Sequence, residues 1–203
     1  MKEDTAIVYV LDDDSRVREA LSSLLLSMGL RVEAFSSAAE YLTFERPDSP
    51  ACLVLDLNLP GMSGLELQRK IAGEDAPPIV FLTGHGDIPS SVRAMKAGAV
   101  EFLLKPFDHR ELLRAIDTAV AQDREMRVKR AEISELRRRY ALLTPRERQV
   151  LPFIVAGMLN KQTAAELGIS EITIQVHRAQ IMRKMAASSL ADLVKIAGKL
   201  GIS

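Results

Sequence analysis

Four short apolar runs in the first half of the chain each end at a residue able to handle phosphate. IVYVL leads to Asp12 and Asp13, CLVL to Asp56, IVFL to Thr83 and FLL to Lys105. Runs of this length, alternating with helix-like patterns, read as strands of a parallel sheet buried on both faces. Such sheets take ligands beyond the carboxyl ends of their strands. Strands are expected near residues 6–11, 30–35, 51–55, 78–82 and 101–104, with helices between them. Five alternating units with acids at the end of the first strand predict a doubly wound, flavodoxin-like α/β sheet of order 2-1-3-4-5. Three carboxylates, a hydroxyl and an ammonium then meet at its open end.

Helix starts carry their own chemistry. Ser37 with Glu40, and Ser63 with Glu66, fit the capping box, in which two side chains satisfy orphan amides of the first turn. Residues 60–64, PGMSG, form a turn into the second of these helices. From Asp108 a helical pattern runs on without Pro or Gly to Tyr140, predicting a long connecting helix. Along it Met126, Ile133 and Tyr140 are seven apart, with Leu136 and Leu143 on the second seam position and Lys129 breaking the repeat. Two heptads leave open whether this seam packs on the protein's own body or on a second copy.

Charge divides the chain. Residues 1–122 carry 12 Lys and Arg against 19 Asp and Glu, net −7, while residues 123–203 carry 15 against 8, net +7. An acidic domain joined to a basic one suggests that the basic one meets a polyanion, most often nucleic acid. The expected organisation is a first domain at 1–122, a helical linker at 123–142 and a small all-helical domain at 143–203. The single cysteine, Cys52, excludes an internal disulfide and reads as a small buried apolar residue. No run approaches the roughly 18 apolar residues of a membrane span, so a cytoplasmic protein without membrane contact is expected.

Asp12, Asp13 and Asp56 placed together repel one another unless a cation sits among them, and oxygen-only ligands suit Mg²⁺. Metal, carboxylate, hydroxyl and ammonium are the parts needed for phosphoryl transfer to a carboxylate nucleophile. Asp14 is better read as the cap of the helix starting at Ser15. His85 and His109 read as loop and helix-start residues, because neither has a second histidine at ligand spacing.

LDDD at 11–14, LVLDLNLPGMSG at 53–64, FLTGHGD at 81–87 and EFLLKPF at 101–107 resemble the receiver domain of bacterial two-component response regulators. The resemblance implies that Asp56 accepts phosphate from a sensor histidine kinase. It further implies that Asp13, Asp56 and the backbone carbonyl of Asn58 bind Mg²⁺ with Asp12 assisting, and that Lys105 pairs with the phosphoryl group. Thr83 would donate its hydroxyl to that group, Phe102 would hold the place of the aromatic switch residue, and Lys105-Pro106 would be cis.

In the basic domain, Thr144, Pro145 and Glu147 open a first helix. A second helix, a turn at Gly168 and a third helix starting at Ser170 then give helix-turn-helix spacing. On the third helix Ile174, His177, Ile181 and Met185 should face the core, leaving Ile172, Gln175, Val176, Ala179 and Arg183 outward. Lys161, Arg178, Arg183 and Lys184 are candidates for phosphate contacts, and Thr173, Gln175, Val176 and Ala179 for the groove. Gln175 suits adenine and Val176 a thymine methyl. This segment resembles the LuxR-type helix-turn-helix of the FixJ and NarL response regulators, most of all the FixJ subfamily. It departs at Gln175, where that family often has Lys, and at Pro152, which should cost about 3 kcal/mol or bend its helix.

The expected function is a transcription factor rather than an enzyme. It would be controlled by phosphorylation at Asp56, dimerise when phosphorylated through the fourth helix and fifth strand, bind promoter half-sites and act on RNA polymerase. Two rivals remain at this point. One is a constitutive DNA-binding regulator with a phosphorylation-independent receiver dimer. The other is a Mg²⁺-dependent phosphatase, since Asp12-x-Asp14 resembles the haloacid dehalogenase motif, although Arg16 stands where that motif has Thr or Val.

Overall fold

The computed structural model describes residues 5–73, 75–84 and 88–202. His85 lies outside them. The chain divides into two compact units, Met1–Arg127 and Val128–Ser203.

The first unit holds strands β1 (Ile7–Leu11), β2 (Arg31–Phe35), β3 (Ala51–Asp56), β4 (Ile79–Thr83) and β5 (Glu101–Leu104), all parallel in the order β2-β1-β3-β4-β5. Between them lie α1 (Ser15–Ser27), α2 (Ala38–Thr43), α3 (Gly64–Ile71) and α4 (Ile88–Lys96), and α5 (His109–Ala141) follows. Side chains alternate across a strand, so one sequence supplies two cores. Ile7, Tyr9, Leu11, Leu53, Leu55 and Phe81 pack with Tyr41, Leu67 and Ala94 of α2, α3 and α4. Val8, Val10, Cys52, Val54, Val80 and Leu82 pack with Leu21 and Leu25 of α1 and Leu112, Ile116 and Ala119 of α5. Each large side chain fully buried here contributes about 1.5–3 kcal/mol, which makes the sheet the rigid part of the unit.

Local signals act as expected. Asp14 caps α1 by accepting from the Arg16 amide at 2.9 Å, and Ser63 with Glu66 closes a capping box on α3. At α2 the arrangement differs slightly. Ser37 accepts from the Glu40 amide, but Glu40 reaches back to the amide and hydroxyl of Ser36 rather than to Ser37.

In the second unit, α6 (Pro145–Val155), α7 (Asn160–Leu167), α8 (Glu171–Met185) and α9 (Leu190–Lys199) enclose a core of Val150, Leu151, Ile154, Ile174, Ile181, Met185 and Leu193. Leu136 and Leu143 join this core and Tyr140 packs against it. That part of the heptad seam is therefore spent inside the chain's own unit. The first-turn box of Thr144 and Glu147 forms, and α6 continues through Pro152 to Val155. Gly168, at φ 62°, ends α7 in the left-handed region that glycine adopts without a Cβ clash.

Candidate functional site

Strand register builds the first site. Leu11 pairs with Leu55, Asp56 with Leu82 and Thr83 with Leu104. Asp12, Asp56, Thr83 and Lys105 therefore emerge side by side at the carboxyl edge, beside the β1/β3 switch point of the sheet. Among the described residues, Asp12, Asp13 and Asp56 bring carboxylate oxygens within 4.8 Å of one another. Asp12 and Asp56 are buried and Asp13 is exposed. Gly64 lets α3 start against this edge. A Cβ there would lie 2.4 Å from the Asp56 carbonyl oxygen and 3.0 Å from the Phe81 ring.

The two buried acids are not equivalent. Asp12 Oδ1 accepts from the Asp14 amide at 3.0 Å, and its Oδ2 takes the Lys105 ammonium at 2.5 Å. Asp56 Oδ2 is 3.6 Å from the same ammonium, and Asp56 Oδ1 is buried with no hydrogen-bond partner. Burial pushes the Asp56 carboxyl above the ordinary aspartate range. Lys105 pulls it down, Asp12 pushes it up, and the Asn58 and Leu57 amides pull it down. An unmatched buried carboxylate oxygen beside two further carboxylates suits a hard cation with oxygen ligands, so the residues fit Mg²⁺. Asp13 and Asp56 have the open oxygens for it. Both oxygens of Asp12 are engaged, consistent with an assisting role.

The other expected residues are placed as follows. Thr83 is fully buried at the end of β4. Phe102 is half-buried, with its ring 6.1 Å from that of Phe81. Asn58 is exposed two residues past Asp56, Lys105-Pro106 is cis, and His109 is exposed at the start of α5. Lys105, expected to serve a phosphoryl group, here holds Asp12. Arg18 was not anticipated. One turn into α1, its guanidinium donates to the Asp12 carbonyl at 2.8 Å and fixes the acidic loop.

The second site is the outer face of α8. Ile172, Thr173, Gln175, Val176, Ala179 and Arg183 are exposed, while Ile174, Ile181 and Met185 are wholly buried and His177 is half-buried. The Thr173 hydroxyl sits 2.8 Å from that of Ser170, within the helix cap. Lys161 is exposed, Arg178 donates to Asn160 at 3.4 Å and Arg183 to Gln180 at 2.6 Å. Lys184 departs from expectation. Its ammonium lies 2.7 Å from Glu147, a carboxylate buried in the first turn of α6 that requires a counter-charge. Burial raises the Glu147 pKa, but hydrogen bonds from Lys184 and Thr144 outweigh it and hold the group below the usual glutamate range. Lys184 is thus a structural cation. The available signal was a glutamate at the third position of a capping box, facing inward.

Residues 8–117 match the response regulator receiver domain family and residues 141–203 the bacterial regulatory proteins of the luxR family. Nodulation protein W of Bradyrhizobium diazoefficiens is 49% identical over 199 residues, covering 98% of this chain and 88% of that protein. The transcriptional regulatory protein FixJ of the same organism is 42% identical over 196 residues, 96% of each. The solved structure of the response regulator StyR matches with a TM-score of 0.83 at 49% identity, covering 96% of this chain and 99% of that one.

Proposed function

The chain belongs to the bacterial response regulators that join a receiver domain to a LuxR-type DNA-binding domain, and from that premise we propose that Asp56 is its phosphoacceptor and that phosphorylation drives dimerisation on promoter DNA. As a member of this family it is a transcription factor, with a histidine kinase as the implied donor. The observation that carries the proposal is the unpartnered, buried Oδ1 of Asp56, held beside a lysine at the end of a fixed strand. One carboxylate oxygen of Asp56 attacks the phosphorus of the donor phosphohistidine while the other stays free for the metal; the P–N bond breaks and the imidazole leaves. Asp13, Asp56 and the Asn58 carbonyl would hold Mg²⁺, which when bound supplies charge neutralisation of the phosphoryl oxygens. The phosphoryl group on Asp56, about −2 where the carboxylate carried about −1, draws Lys105 from Asp12 and the Thr83 hydroxyl towards it. Phe102 then follows into the space behind Thr83.

Ile88, Val92 and Met95 are exposed at helical spacing along α4, and Leu104 is exposed on β5. This apolar strip supports the α4–β5 face as the dimer contact, so that two copies of α8 meet paired half-sites. Lys161, Arg178 and Arg183 would then contact phosphate, and Thr173, Gln175, Val176 and Ala179 the major groove, with RNA polymerase as the downstream partner. Among the described residues no helix is long and apolar enough to cross a membrane. The phosphatase reading loses support because Asp12, its required nucleophile, has both oxygens engaged.

The test uses a small phosphodonor with Mg²⁺. Wild type should gain one phosphoryl group by intact mass, shift to a dimer and bind promoter DNA more tightly, and Asp56→Asn should do none of these. Donor-stimulated dimerisation that survives in Asp56→Asn overturns the mechanism, and equally tight DNA binding with and without donor favours a constitutive regulator.

A further inference from the structure

Gln68, on α3, is buried, yet nothing in the phosphoryl pocket uses it. Its Nε2 donates to two carbonyls, Ala94 in the last turn of α4 at 3.2 Å and Ala97 just past its end at 3.3 Å. Its Oε1 is buried without a partner. The last carbonyls of a helix have no partner within it; here Ala94 also accepts from the Ala99 amide at 3.1 Å, and Gln68 adds a donor from a neighbouring helix. A Met or Leu would fill the same space without stranding an acceptor. The amide is therefore explained by what its two donors hold, not by the volume it occupies.

The rest of α4 is held differently. Ala94 is fully buried at the tethered end, whereas Ile88, Val92 and Met95 face solvent. A cleft of about 270 Å³, lined by Leu65, Gln68, Arg69, Arg93 and Ala97, separates α3 from α4. Thr83 precedes the first residue of α4, Ile88, by five positions. In the chain, Thr83 thus lies on the side of α4 opposite its tether.

We propose that Gln68 is the pivot of α4: a positioning residue that pins its carboxyl end to α3, so that displacement of Thr83 swings the amino end and re-aims the Ile88–Val92–Met95 strip. The inference rests on the phosphorylation-driven dimer argued above and names the part that converts the signal into a change of surface. Without the tether, movement at Thr83 is absorbed by sliding of the whole helix. The dimer face then responds weakly to phosphate.

The test is the full-length Gln68→Met variant, which keeps length and loses both donors, read beside wild type by phosphoryl load, dimer dissociation constant with and without phosphodonor, and backbone hydrogen exchange. Phosphoryl load at Asp56 should match wild type, while the ratio of the two dimer constants falls by at least about fivefold and exchange rises selectively at residues 94–99. An unchanged ratio at equal load overturns the pivot, because a purely structural role lowers stability in both states alike. Wild type whose dimerisation ignores phosphate overturns the dimer reading itself and takes the pivot with it, a result separate from a failure in the variant alone. If Gln68→Met does not fold, Gln68→Asn, an amide one methylene too short to span both carbonyls, is held to the same outcomes.

Discussion

At the scale of single residues, the site stores an electrostatic cost that titration exposes. Burial holds the Asp56 carboxyl above the ordinary aspartate range, so the folded protein binds that proton more tightly than the unfolded chain. By linkage, the ionised group opposes folding at pH above both pKa values, and the opposition vanishes as pH falls below them. Asp56→Asn removes the charge at nearly constant shape. In the presence of a chelator it should therefore raise the melting temperature near neutral pH, with the gain shrinking as pH falls through the raised carboxyl pKa. Added Mg²⁺ should raise the melting temperature of wild type well above its effect on Asp56→Asn. Thermal scans across pH, with and without the metal, measure both, and a lower melting temperature for Asp56→Asn at neutral pH without metal contradicts this account of the pocket.

Elements show which parts of the structure a sequence can express. Strand runs, the Ser63–Glu66 and Thr144–Glu147 boxes and the Ser170 cap are local chemistry, readable within a few residues, and the structure contains each of them. What stayed hidden joins distant segments. Lys184 meets Glu147 across 37 positions and Gln68 meets Ala94 across 26, and no spacing rule links either pair. Pro152 shows a local rule losing to burial, since Val150, Leu151 and Ile154 lock α6 into the core on either side of it. The start of α7 is another departure from local preference. Leu159 occupies its N-cap position without a side-chain hydrogen bond and is 68% exposed. Leu159→Ser supplies the missing acceptor and gives up little packing, so it should stabilise the DNA-binding unit by about 1 kcal/mol. A rise in the urea midpoint of that unit's transition, with unchanged slope, is the expected result.

For the whole molecule, charge limits how phosphorylation can act on DNA. Residues 1–122 carry net −7 and residues 123–203 net +7, so the phosphoacceptor lies in the half that DNA already repels. Phosphorylation replaces the single charge of the Asp56 carboxylate with a phosphoryl group of about −2, a net addition of about −1. For one copy on one half-site, the added charge is unfavourable or neutral, since no new contact to DNA comes with it. A gain in affinity must then come from joining two copies, which turns the second half-site into an intramolecular event. Phosphorylation should leave binding to a duplex with a single half-site unchanged or slightly weaker, and tighten binding to paired half-sites by at least about tenfold. Anisotropy titrations of the two duplexes at one fixed salt concentration separate the cases, because electrostatic affinities shift steeply with salt. Tightening of equal size on the single half-site would mean that phosphate uncovers the DNA-reading face of α8 within one chain, and the dimer would then be a consequence of activation and not its cause.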